Sequence, residues 1–215
     1  MYNGGIIYTS ATWISRLAFL NLLWICFSIF GLVVFGFFPA VVAMLAIERK
    51  WIRGGEKDVT ILKTFWLEFK QNFITANIIG YSLVVACFLI YLNMTLVSSL
   101  NNWLEPLLLF ILYGFAFLFA ILAIYIFPAF VHYQARLIDY FLHGVMIALI
   151  SPVHSLFILI NVIAFFFIGY FFPGIICVYL GSGITFIVMW FAYQSIQKIE
   201  NKIVVEKRRN IVHDR

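Results

Sequence analysis

The residues able to do chemistry are few and scattered. Asp and Glu total 9 in 215 residues. Glu48, Arg49 and Lys50 form one charged run, and Arg136 and Asp139 lie three apart, close enough to pair on a helix. His154 stands by itself near the start of an apolar stretch and reads as a structural histidine. There is no GxxxxGK[ST], no HExxH, no pair of adjoining carboxylates and no Ser/His/Asp set, so no motif for a catalytic, cofactor or metal site is present. Cys26, Cys87 and Cys177 each lie in an apolar run without CxxC spacing, which predicts buried free thiols. The expected role is therefore non-enzymatic.

Composition explains the scarcity. Hydrophobic residues make up 65% of the chain and charged residues 11%, against roughly 25% charged in a soluble domain. Lipid must cover most of the surface. The expected fold is all-α: a polytopic membrane helical bundle with five transmembrane helices, forming one integral domain over residues 1–215. The spans fall at about 17–38, 77–97, 106–128, 151–168 and 175–193, each near the 20 or so apolar residues that cross a hydrocarbon core. The N-terminus has no basic region before its apolar stretch, which predicts an uncleaved start.

The first apolar run continues to Ile47, too long for one straight crossing. Pro39, which removes a backbone donor and clashes with the preceding turn, is expected to break the helix there. The segment 40–51 would then leave the membrane with Glu48, Arg49 and Lys50 at the headgroups, ending at Gly54 and Gly55. Pro128 is expected to break the third span in the same way. Phe38-Pro39-Ala40 and Phe127-Pro128-Ala129 share one offset with Asn72 and Asn161, Gly55 and Gly144, and the two Ile-Gly-Tyr triplets at 79 and 168. This predicts a tandem parallel repeat of two hairpins with the fifth helix added.

Residues 58–73 carry the cleanest amphipathic pattern. Ile61, Phe65, Phe69 and Phe73 recur every four residues with Leu62 and Trp66 beside them, Lys63, Glu68 and Lys70 fall on the other arc, and Asp58 is a suitable N-cap. Two uses fit: a helix lying in the inner headgroup layer, or a docking face built on Phe65, Trp66 and Phe69 with Lys63 and Lys70 at its edge.

Basic residues set the expected orientation. The first connector holds Arg49, Lys50, Arg53, Lys57, Lys63 and Lys70, and the segment after residue 193 holds Lys198, Lys202, Lys207, Arg208, Arg209 and Arg215; the lead-in adds Arg16 and the third-to-fourth connector Arg136, while the two alternate loops hold none. Basic residues stay cytoplasmic, giving an external N-terminus and a cytoplasmic tail over 194–215. The positive balance concerns anionic lipid. Nothing here presents a groove for nucleic acid.

The run from Trp13 to Phe73 resembles the YesL-like family of bacterial membrane proteins, whose function is not known. The likeness rests on Asn21-Leu22-Leu23-Trp24, Gly36-x-x-Pro39-Ala40, Gly55-Glu56 and Phe65-Trp66-x-x-Phe69-Lys70. It implies a plasma-membrane protein of Gram-positive bacteria, often encoded beside carbohydrate-uptake ABC transporter components, and supplies no catalytic residues. Two functions stay open: an accessory or scaffold component contacting the permease subunits, or an independent small-solute transporter with a path between the two repeats.

Overall fold

The computed structural model describes residues 6–54, 60–100, 102–133 and 136–213. Eight α-helices account for the described elements: α1 (Ile6–Phe30), α2 (Phe37–Ile52), α3 (Ile61–Gln71), α4 (Phe73–Ser98), α5 (Glu105–His132), α6 (Leu137–Ile150), α7 (Pro152–Phe171) and α8 (Pro173–His213). Five stretches are long and apolar enough to cross a membrane: Ser10–Phe30, Phe73–Ser98, Glu105–His132, Pro152–Phe171 and Pro173–Lys202. The protein is an all-α polytopic bundle.

The centre is α2. It packs against α1, α3, α4, α5 and α8. Ala40, Ala43, Met44 and Ile47 are fully buried, joined by Val42, Leu45 and Ala46. Its small residues let neighbouring backbones come close, which is how helices associate where lipid gives no hydrophobic drive.

This corrects the expected path of the chain. α2 does not run on from the first span into the cytoplasm; it folds back along α1. Trp24 meets Phe37 at one end of this hairpin and Trp13 meets Trp51 at the other. The beginning of α1 therefore lies beside the end of α2 that carries Arg49, Lys50 and Arg53, rather than at the opposite end.

The reversal occupies residues 31–36. A Cβ on Gly31 would stand 2.4 Å from the Gly36 Cα, and one on Gly36 would stand 2.6 Å from the Ser28 carbonyl oxygen, so the crossing admits only glycine at both points. Leu32 and Val33 hold φ of 59° and 62°, a left-handed conformation that is strained for a branched side chain. α4 holds the turn from outside: Asn77 Nδ2 donates to the Phe35 carbonyl at 2.9 Å, and the Tyr81 hydroxyl donates to the Val34 carbonyl.

Neither proline breaks its helix. Pro39 sits in the first turn of α2, where a missing N–H has no partner to lose, and the interruption lies upstream of it. Pro128 lies inside α5, which continues to His132; such prolines are tolerated in membrane helices because neighbours compensate.

The tandem repeat does not carry into the fold. Ile79-Gly80-Tyr81 falls in the first third of α4, whereas Ile168-Gly169-Tyr170 closes α7. The two Phe-Pro-Ala motifs open α2 and end α5, and they meet: the Phe38 and Phe127 rings stack at 6.0 Å.

Other expectations resolve locally. Gly54, with φ of +76°, follows α2, whereas Gly55 and Asp58 lie outside the described residues. Asp139 accepts the backbone N–H of Arg136 at 3.2 Å, so this pair caps the start of α6. The three cysteines are free but exposed, because apolar runs here also form the outer surface.

Gly36→Ala is expected to destabilise the protein by about 1–3 kcal/mol, the usual range for overpacking, whereas Pro39→Ala stays within about 1 kcal/mol. Thermal melting of both variants in mild detergent measures the difference; equal shifts would remove the tight reversal from the account.

Candidate functional site: a buried polar seam around Glu48

Where α1, α2 and α8 meet, polar side chains line an otherwise apolar contact. Asn21 is buried on α1. Its Oδ1 accepts the backbone N–H groups of Gly181 at 2.9 Å and Ser182 at 3.2 Å, and its Nδ2 donates to the Cys177 carbonyl at 3.2 Å. One amide thus grips a full turn of α8.

Glu48 follows on α2 and is 0% exposed. Its Oε1 lies 2.8 Å from Thr185 Oγ1, which also stands 2.9 Å from the Gly181 carbonyl oxygen. A hydroxyl carries one hydrogen. The Thr185 hydroxyl donates to Glu48 Oε1, with the Gly181 carbonyl oxygen as its alternative acceptor. Among the described residues Glu48 Oε2 has no hydrogen-bond partner, and neither do the buried Trp24 Nε1, Ser28 Oγ and Ser182 Oγ. α2, at 16 residues, is shorter than the five stretches long and apolar enough to cross a membrane, and the protein itself covers Glu48. Burial pushes its carboxyl well above the usual carboxylate range, and the Thr185 hydrogen bond opposes this only in part. The seam can hold a proton.

A second polar group gathers at the far end of α2. The Arg49 guanidinium donates to the Val131 carbonyl of α5. Lys50 pairs with Glu68 at 3.1 Å, and His132 pairs with Glu200 at 3.1 Å. His154 is not solitary: its Nδ1 lies 2.8 Å from Ser195 Oγ on α8. The first basic connector and the C-terminal helix are thus brought to one end of the bundle.

The amphipathic segment divides. Phe65 and Phe69 are buried against Leu20, Ala40, Met44 and Ile47 and touch the Phe27 ring, so they belong to the protein's own core. Lys63, Trp66 and Lys70 stay exposed, with Leu62 and Leu67. Asn72 closes α3, its Nδ2 donating to the Glu68 carbonyl at 3.0 Å.

Sequence reasoning placed Glu48 at the headgroups, gave Asn21 only as part of the family likeness, and passed over Ser182 and Thr185. A signal was present for Glu48: it continues the helical arc of Ala40, Met44, Ile47 and Trp51, so a face that is core at 44 and 47 is core at 48.

The model for "Protein of unknown function, DUF624" matches residues 17–94. Across most of its length the chain is similar to three uncharacterized proteins of Bacillus subtilis. It is 35% identical to YteU, covering 87% of this chain and 84% of YteU. The chain belongs to the YesL-like family. It is also 27% identical to YesL, over 91% of this chain and 92% of YesL, and 30% identical to YesV, over 90% and 93%. No solved structure matches. In this YesL-like chain the stretch matched by the family model, residues 17–94, spans the reversal, α2 and α3, and contains both Asn21 and Glu48.

The raised carboxyl of Glu48 fixes the sign of a pH effect. Below the ordinary glutamate value of about 4.3 folded and unfolded chains both hold the proton. As pH rises above it the unfolded form ionises first, so stability falls until the folded pKa is passed. Relative to Glu48→Gln, wild type is expected to melt at progressively lower temperature as pH rises. A pH-independent difference between the two would contradict a neutral buried Glu48. Thr185→Val, which orphans the carboxyl, should cost about 1–3 kcal/mol.

Proposed function

We propose that this YesL-like protein is a non-enzymatic accessory or scaffold component of the bacterial plasma membrane, working with a carbohydrate ABC transporter through its permease subunits. The observation that carries this is the α4–α5 hairpin. No residue of α4 after Gly80 is buried, and none of α5 before Tyr125. The outer halves of both helices present Phe88, Tyr91, Phe110 and Tyr113 outward. Aromatic side chains of this kind dominate the energetics of protein interfaces. The outward face of α3, with Lys63, Trp66 and Lys70, then rests on anionic headgroups, since its Phe65 and Phe69 are taken by the core. An independent solute carrier is the second reading; it needs a path through the bundle, where α2 now sits.

The basic end of the bundle, with the C-terminal tail, faces the cytoplasm in this account. In a thiol-free background, cysteines at Asn102 and Gly174 are expected to react with an impermeant reagent from outside, and cysteines at Gly54 and Asn210 are not. The reverse pattern would invert the arrangement.

A photo-activated cross-linker at Tyr91 or Tyr113, in cells expressing the neighbouring permease subunits, is expected to capture a permease helix, whereas one at Trp66 captures lipid. Lipid adducts alone from all three positions would count against the scaffold role.

A further inference from the structure

The break between α6 and α7 opens two adjoining spaces that the seam does not use. One, of about 480 Å³, is polar; Ser151, Pro152 and His154 line it from the break, and Lys198, Asn201 and Lys202 from α8. The other, of about 670 Å³, is apolar; Leu118 and Leu122 of α5, Leu149 of α6, and Leu156 and Leu159 of α7 line it. Pro152 belongs to both linings, so the two spaces meet at the first residue of α7. Both volumes fall within the roughly 300–1,000 Å³ of small-molecule sites.

The polar space is built for an anion. Lys198 and Lys202 are one helical turn apart on α8, and among the described residues neither meets a carboxylate. The nearby Glu200 is engaged by His132. The Ser151 side chain does not cap α7. The first N–H groups of this 20-residue helix, at Val153 and His154, thus lack an intrahelical acceptor, and the helix dipole adds positive potential there. An anionic group held there lies next to a groove fit for a hydrocarbon chain.

We propose that the α6–α7 break binds an anionic phospholipid. Its phosphate sits between Lys198, Lys202 and the start of α7, and one acyl chain lies in the groove between α5, α6 and α7. Charge complementarity selects the occupant: a neutral lipid could fill the groove but would leave both lysines without a counter-charge. This inference goes beyond the scaffold reading and does not depend on any permease.

The test is native mass spectrometry of the full-length protein released from detergent, titrated separately with phosphatidylglycerol and phosphatidylcholine. Wild type is expected to retain phosphatidylglycerol roughly tenfold or more better, two cations near a headgroup each being worth several-fold. Lys198→Gln with Lys202→Gln, both at exposed positions, should bring phosphatidylglycerol down to the phosphatidylcholine level while leaving the lipid-free melting temperature unchanged. Leu118→Trp, also at an exposed position, should narrow the groove and lower retention with both lysines intact. Equal retention of the two lipids by wild type, or undiminished phosphatidylglycerol binding by the double variant, would overturn the site. Inorganic phosphate is expected to give no thermal shift; a shift equal to that of phosphatidylglycerol would overturn the lipid as its occupant.

Discussion

The structure depends on one short helix being turned inward. α2 is only 16 residues long, yet it meets five other helices and ten of its residues are buried. In lipid, apolar side chains gain little by leaving the solvent, so close packing and interhelical hydrogen bonds must hold the bundle. Each such bond averages about 0.6 kcal/mol, which makes number and geometry more telling than any single contact. α2 supplies three in succession, Glu48 to Thr185, Arg49 to Val131 and Lys50 to Glu68, besides the stacking of Phe38 on Phe127. All of them require the chain to reverse between Gly31 and Gly36.

The spans themselves were legible because length and hydropathy report lipid exposure directly. The inward path of α2 was not, because an apolar run reads the same whether lipid or protein covers it. Pro39 misled for a related reason. The rule that proline breaks a helix holds in the interior, and Pro39 lies in a first turn, where the rule does not apply. Pro128 is interior, but only four residues remain after it in α5 and neighbouring helices cover it. The pair Gly31 and Gly36, five apart inside an apolar stretch, was the local sign of a close crossing. Of the amphipathic segment, the helix and its apolar arc were legible. Which members of that arc face the protein was not, since Phe65, Trp66 and Phe69 share one face by spacing and separate only once α1 is packed beside them.

The bundle has two dissimilar regions. At one end lie the basic residues, the His132–Glu200 and Lys50–Glu68 pairs and the start of α7; at the other the α4–α5 hairpin extends, with no residue of α4 after Gly80 and none of α5 before Tyr125 buried. A buried carboxyl links α2 to α8. That division suits a protein whose centre is a fixed support and whose outer surfaces meet lipid and other proteins.

The inward reversal of α2 is open to a direct distance measurement. Trp13 and Trp51 have ring centroids 5.7 Å apart. In one continuous helix, 38 residues at 1.5 Å each would separate them by about 57 Å. With cysteines at these two positions in a thiol-free background, a short bismaleimide is predicted to form an intramolecular cross-link in the membrane. Full labelling of both thiols with no cross-link would contradict the folded-back hairpin and the arrangement built on it.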